Sequence, residues 1–436
     1  MKIQSPPGMR DFFPEDMRLQ NWLFDAWRRV SLSFGFSEYE GPIFEYLDLY
    51  TLKSGEGIVS ELFTFEDRGQ RKFAIRPEMT PTLARMVAAR ANALPRPIKW
   101  FSLPRMCRAE KPQRGRLREF FQWNADILGV DDPIADAEVI ALAAAFFREI
   151  GLGEDVVIRV NSRPVLSACL ASLGIAPDEN EYAFQLIDKF ERLPIDEFSD
   201  LWDKRYKSNV FASKLIKFLD KTGLDECLKM ARDTGSVGQA AVESFQVFWQ
   251  RLADFDVLQS CEFHLKTVRG LAYYTGSVFE VHARQGGLRA LMGGGRYDNL
   301  TGLLGGPAVP GVGFGMGDAP VLELLREIKK LPDQADSLDV FVADAVPELF
   351  STLLNLSSFL RAAGFRVDFS YKRTNLGKQL KQASARGSKY VIILGEELKT
   401  NGMLQIKNLD TGEQVSASNE EFRRSPRAHL GNRPAL

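Results

Sequence analysis

The chain has 436 residues, 45% of them hydrophobic and 26% charged, with 35 glycines and 21 prolines. That length suits about three domains, and the composition excludes disordered, collagen-like and disulfide-scaffold classes. Lys and Arg number 56 against 57 Asp and Glu, a formal net charge of -1, so a polyanionic partner would have to be met by a local basic patch. Cys107, Cys169, Cys227 and Cys261 lie far apart in sequence, show no CxxC spacing and form no zinc pattern with His264, His282 or His429. A reducing, cytoplasmic setting without structural zinc is the expectation. The segment MKIQSPPGMRDFFPEDM lacks the apolar stretch of a secretion signal, and no run of about 18 apolar residues occurs, so neither export nor membrane insertion is expected.

Leu19, Trp22, Leu23, Trp27 and Val30 recur at helical spacing after Pro14, Glu15 and Asp16, predicting a helix from Asp11 to about Phe34. Gly35 to Glu45 mixes glycine, proline and aromatic residues and suits a strand with an interruption. Leu62–Phe65, Lys72–Ile75, Ile98–Leu103 and Glu119–Leu128 read as strands of one sheet. Asp132, Pro133, an alanine-rich run and Gly151 supply the start, interior and stop of a helix that would cover it. Val156–Asn161 reads as a strand, and residues 163–255 lack strand alternation, predicting a helical insertion. Sheet signals return at Val278–Ala283 and at the glycine clusters Gly293–Gly295 and Gly311–Gly317. From Leu338 a βα alternation begins, comprising Leu338–Ala343, a helix over Glu348–Ala363, Arg366–Tyr371, a helix over Leu376–Ala385 and Tyr390–Leu394. The expected organisation is residues 1–162 and 256–330 as two parts of one core, 163–255 as its insertion, 337–422 as a separate α/β domain, and 423–436 as a mobile tail.

RMCRAEKPQRGRLRE, Arg105 to Glu119, sets six basic residues against Glu110 and Glu119 between two strands. Such a loop could clamp phosphates through guanidinium forks and reach a nucleic-acid backbone with its other cations, although charge alone favours a solvated hairpin loop. The clusters MGGGRYDNL and PGVGFGMGD lack the lysine and hydroxyl of a phosphate loop. Repeated glycine in a strand instead marks close approach by another backbone or a flat ligand, or a purely structural glycine. RGLAYYTG places Arg269, Tyr273 and Tyr274 just before a strand, where the tyrosines could equally be core or rim aromatics. RPEMT offers Glu78 beside Thr80, suited to an ammonium group or to a helix start.

Taken together these segments resemble the histidyl-tRNA synthetases, a family of class II aminoacyl-tRNA synthetases, over nearly the whole chain. GFSEYEGPIFE resembles the first class II motif at a dimer interface, CRAEKPQRGRLREFFQWNADILG the second, and PGVGFGMGD the third; RGLAYYTG and GGGRYD resemble the two signatures particular to the histidine enzymes. The resemblance implies an α+β catalytic domain on an antiparallel sheet, with the helical insertion and a C-terminal α/β anticodon-binding domain. It implies a cytoplasmic homodimer that activates histidine with ATP and Mg2+ and transfers it to tRNA(His). Carried over by position, Arg108 would hold the ATP α-phosphate, Glu110 would contact adenine or its loop, and Arg116 would address the outer phosphates. Glu78 and Thr80 would bind the α-ammonium of histidine, Gln122 and Asp126 would complete the amino-acid site, and Tyr273 and Tyr274 would shape the imidazole pocket. Arg269 would stabilise charge at the α-phosphate, so that positioning and charge compensation carry the rate. Lys372, Arg373, Lys378, Lys381 and Arg386 would give the C-terminal domain a basic face toward tRNA.

Two positions depart from the family's commonest pattern: Ala272 stands where Asp is usual, and Asp318-Ala319-Pro320 stands where the third motif continues into an arginine that grips the γ-phosphate. With the other ATP and histidine positions intact, these mark a divergent branch. The rival readings are a histidine-sensing regulatory paralogue of ATP phosphoribosyltransferase, which lacks the C-terminal domain, and a non-catalytic RNA-binding protein.

Overall fold

The computed structural model describes residues 3–54, 59, 61–115, 117–206, 210–270, 273–332, 338–372 and 374–431. Two compact units divide at Pro332. The first is built on a nine-stranded sheet in the order Ser37–Glu38, Ile98–Ser102, Glu119–Leu128, Gly311–Gly317, Met292–Tyr297, Ser277–Ala283, Val156–Ser162, Cys261–Phe263, with Arg105–Cys107 pairing beside the long Glu119–Leu128 strand. The pairs are antiparallel except at the two edges, where Ser37–Glu38 and Cys261–Phe263 run parallel to their neighbours.

One face of this sheet is apolar at every second position. Trp123, Ala125 and Ile127 of one strand meet Val312, Phe314 and Met316 of the next. Pro14–Ser33 and Ile134–Glu149 are among the helices that cover that face. Pro14–Ser33 starts on a proline, whose missing N–H costs nothing there, and Asp16 accepts from the Phe13 N–H. Ile134–Glu149 starts where Asp132 accepts from the Ile134 N–H. Trp27 stacks on Trp123 with centroids 6.1 Å apart, Phe146 and Phe314 close on the same indole, and Trp123 donates to Ser31 Oγ at 3.0 Å. Truncating such a buried aromatic to alanine costs about 3–5 kcal/mol.

The strands at Phe44–Tyr46, Thr64–Glu66 and Lys72–Ile75 form a separate three-stranded sheet rather than joining the large one. The Gly35–Glu45 segment therefore belongs to both sheets, with Gly41 between them; a Cβ at Gly41 would lie 2.4 Å from Thr82. The strand at Arg105–Cys107, which carries no apolar alternation, escapes sequence reading.

Among the described residues six α-helices lie between Arg163 and Asp254, and their apolar faces join the core of the large sheet as one cluster. Within them Cys169 and Cys227, 58 residues apart in sequence, come to 3.2 Å between sulfurs as free thiols. Among the described residues no helix is long and apolar enough to cross a membrane.

The second unit has a five-stranded sheet in the order Val367–Phe369, Val340–Asp344, Tyr390–Leu394, Met403–Asn408, Gln414–Ser418. The first three are parallel, as the βα alternation predicts, and the last two add an antiparallel edge. The mobile tail expected from Arg423 does not begin there. Asn419–Arg424 and Pro426–Leu430 are helical, and Phe422 and Leu430 are buried in this unit's core.

Candidate active site

The face of the large sheet away from the Trp27 core is floored by glycine. The same alternation that buries Val312, Phe314 and Met316 turns Gly313 and Gly315 to this side, with Gly293 and Gly295 beside them. A Cβ at Gly313 would lie 1.9 Å from Asp126 Oδ1, at Gly315 2.8 Å from Gln122 Nε2, at Gly293 2.3 Å from Arg269 Nη1, and at Gly295 2.8 Å from the Tyr274 ring. The glycine clusters thus make room for four of the side chains that sequence reading singles out.

Asp126 is buried, and its Oδ1 accepts from Tyr297 Oη at 2.6 Å. Burial pushes its carboxyl up to about 7, against the lowering effect of that hydrogen bond. Glu78 lies across the floor, where its Oε2 accepts from Tyr273 Oη at 3.3 Å. Tyr273 links the two acids, with its ring 4.6 Å from Tyr274 and 6.0 Å from Tyr297. Thr80 opens the helix Thr80–Arg90, whose Leu83, Ala84 and Val87 pack with Tyr274 and Tyr297 and wall this side of the site.

Two guanidinium groups flank the acids. Arg269 donates from Nη1 to Glu280 Oε1 at 2.8 Å, and Glu280 Oε2 lies 3.0 Å from His282 Nε2. Burial opposes the Arg269 charge, but Tyr274 and Glu280 more than reverse this and raise its proton affinity. Glu280 shows the converse: burial works against its ionisation, yet His282 and Arg269 hold its carboxyl down at about 2. Arg108 donates from Nε at 3.0 Å to the carbonyl of Pro77, the residue before Glu78, and stands over the Phe120 ring at 5.1 Å.

The basic loop is largely tied to protein partners. Arg105 pairs with Glu119 at 2.7 Å, Arg118 donates to Glu110 O at 3.0 Å, and Arg114 pairs with Glu323 and Glu327. Arg105, Arg114 and Arg118 are thus held by protein partners, while Lys111 is exposed. Arg116 lies outside the described residues. Glu110 sits half-buried at the loop's base.

Comparison with known proteins matches residues 8–319 to the family model described as histidyl-tRNA synthetase and residues 339–425 to the one described as anticodon binding domain. The chain belongs to the histidyl-tRNA synthetase family. It is 38% identical to a chloroplastic/mitochondrial histidine–tRNA ligase of Arabidopsis thaliana over 94% of this chain and 84% of that one. It is also 38% identical to a histidine–tRNA ligase of Opitutus terrae over 96% and 97%. A crystal structure of histidyl-tRNA synthetase from Nostoc sp. PCC 7120 superposes with a TM-score of 0.80 at 26% identity, covering 99% of this chain and 100% of that one. The apo S. aureus histidyl-tRNA synthetase superposes at 0.73 and 25% identity, covering 97% and 99%.

Asp318, the first residue of the departure in the third motif, is tied to distant segments. Asp318 is fully buried, accepts from Arg10 Nη2 at 2.7 Å and from the Phe121 N–H at 3.1 Å, and so ties the N-terminal segment to the sheet. Burial raises its carboxyl, and Arg10 opposes that rise. Ala272 lies outside the described residues. Sequence reading assigns no role to Tyr297, Glu280 or Arg163, which hold Asp126, Arg269 and the Arg269 backbone respectively. Glu280 and His282 stand out as polar positions on one face of an otherwise apolar strand, whereas Tyr297 and Arg163 carry no local signal. Among the described residues no group of three or more His, Cys, Asp or Glu side chains is placed to hold a metal ion.

Proposed function

We propose that this chain is a histidine–tRNA ligase whose amino-acid site is the acid–tyrosine cluster on the glycine floor. The observation that carries this is the pairing of two separated acids, Glu78 and Asp126, each bound by a tyrosine hydroxyl, with Arg269 and Arg108 at the margins. Glu78, with Thr80, takes the α-ammonium of histidine. Asp126 and Gln122 take the imidazole, with Tyr273 and Tyr274 forming its walls. A carboxylate oxygen of histidine then attacks the ATP α-phosphorus, and the bond to the β-phosphate bridging oxygen breaks to release pyrophosphate. The carboxylate is already a nucleophile, so orientation and charge compensation by Arg269 and Arg108 carry the rate. Glu110 contacts adenine or its loop, Arg116 serves the outer phosphates, and ATP enters as its Mg2+ complex. In the second step a terminal ribose hydroxyl of tRNA(His) attacks the adenylate carbonyl, and AMP leaves.

The exposed Lys372, Lys378 and Lys381 support a tRNA-facing surface on the second unit; Arg386 pairs with Asp368 at 3.3 Å and contributes less, and Arg373 lies outside the described residues. The match of residues 339–425 to an anticodon-binding model favours the ligase over the regulatory paralogue. The test is histidine-dependent exchange of pyrophosphate into ATP. Exchange with histidine alone among the amino acids is expected, and its absence from a folded, ATP-binding protein would refute the reading.

The chain is also a homodimer in this proposal. Ile43, Phe44, Tyr46 and Phe65 are 53%, 43%, 54% and 40% exposed on and beside the small sheet. Phe44 lies 5.2 Å from Phe65, a contiguous aromatic face that suits a partner surface. Sedimentation at micromolar concentration should give a dimer; a stable monomer would count against it.

A further inference from the structure

Arg163 belongs to none of the motifs described above. It is the first residue of the helix Arg163–Leu173, directly after the strand Val156–Ser162, and its side chain is only 5% exposed. Its Nε donates to Val268 O at 3.3 Å, its Nη2 to Arg269 O at 2.7 Å, and its Nη1 to Tyr274 O at 3.0 Å and to Glu181 Oε2 at 3.3 Å. The guanidinium also stands 4.9 Å from the Phe184 ring centroid. These three carbonyls lie outside any helix or strand, so their hydrogen bonds must come from elsewhere. A planar fork of five N–H donors can reach all of them together with a carboxylate, and an ammonium cannot.

The residue held most closely is itself constrained. Arg269 has a φ of +57°, the left-handed region that a side-chain-bearing residue keeps only when its surroundings impose it. Its far end is fixed by Glu280 and its backbone by Arg163. We propose that Arg163 is a positioning residue, which sets the backbone at Val268, Arg269 and Tyr274 so that the Arg269 guanidinium and the Tyr274 ring lie over the glycine floor, and which ties that setting to the helical insertion through Glu181. Glu181 and Phe184 both belong to the helix Asn180–Ile187, so a shift of that helix moves the fork and the carbonyls it holds. This inference rests on the reading of Arg269 as the group that compensates charge at the α-phosphate.

The test is single-turnover histidyl-adenylate formation by the full chain carrying Arg163→Lys, Glu181→Gln, Arg269→Ala, or Arg163→Lys with Arg269→Ala, each checked by thermal unfolding. Misplacing a catalytic group by about 1 Å costs on the order of a hundredfold, so Arg163→Lys should slow the step about a hundredfold with the ATP KM unchanged. The double variant should fall no more than about threefold below Arg269→Ala, because both changes act through one group. A wild-type rate for folded Arg163→Lys, or losses that multiply in the double variant, would overturn the proposal. A wild-type rate for Arg269→Ala would instead refute the role of Arg269; Arg163→Lys must then still raise the histidine KM through Tyr274, and an unchanged KM would end the proposal too. If Arg163→Lys fails to fold, Glu181→Gln decides: a several-fold loss that disappears in the Arg269→Ala background supports the link, and a wild-type rate refutes it.

Discussion

In the proposed amino-acid site, Asp126 couples histidine binding to pH. Its carboxyl is raised by burial from 3.8 to about 7, so the unliganded fold holds a proton that the unfolded chain has released. That contribution to stability is complete below the unfolded value and is lost as pH rises through about 7. An imidazole N–H donated to Asp126 favours the ionised form, so histidine binding expels the proton and tightens as pH rises. The histidine KM in pyrophosphate exchange should therefore fall several-fold between about pH 6 and pH 8. Asp126→Asn should raise KM and flatten this dependence to what the free imidazole's own titration leaves, with ATP KM little changed. Identical pH profiles in the two proteins would rule Asp126 out as the imidazole partner.

The sheet strands supply the next scale. Asp126 is usable because Gly313 faces it across the Glu119–Leu128 and Gly311–Gly317 pairing. A methyl group at Gly313 would lie 1.9 Å from Asp126 Oδ1 and 2.8 Å from the Ala125 carbonyl, too close for either to stay in place. Gly313→Ala should cost about 1–3 kcal/mol of stability by overpacking and raise the histidine KM at least tenfold. Gly302→Ala is the control, since a Cβ there meets nothing closer than 3.9 Å. Equal behaviour of the two in thermal unfolding and exchange kinetics would show that the floor tolerates a side chain. Sequence reading leaves these glycines open between close approach by a backbone or flat ligand and a purely structural role; in the fold it is the Asp126, Gln122, Arg269 and Tyr274 side chains that approach them. What approaches them follows from strand register, which no local pattern encodes.

At the scale of the molecule, each unit has its own sheet and its own apolar core: Trp27, Trp123 and Phe146 in the first, Val340, Leu356, Ile392 and Phe422 in the second. A chain ending at Pro332 should therefore fold and retain histidine-dependent pyrophosphate exchange within about threefold, while losing tRNA charging by roughly tenfold or more as the proposed tRNA-facing surface of the second unit is removed. Loss of exchange in a truncated protein with a cooperative unfolding transition would contradict this division of labour.

By itself the sequence determined the element types and the family, and it supplied most of the residues of the proposed site. Periods of two and 3.6 follow from which residues are apolar, and the motif residues Glu78, Arg108, Gln122, Asp126, Arg269, Tyr273 and Tyr274 stand in recognisable strings. The tertiary structure alone decided how those groups are held. Tyr297 reaches Asp126 across 171 positions, Arg10 reaches Asp318 across 308, and Arg163 reaches the Arg269 carbonyl across 106. It likewise sent Thr64–Glu66 to a second sheet and turned most of the basic loop toward carboxylates and carbonyls. The physical reason is the same in each case: periodicity is written in neighbouring residues, whereas a buried donor's partner is chosen by strand register and packing between distant segments.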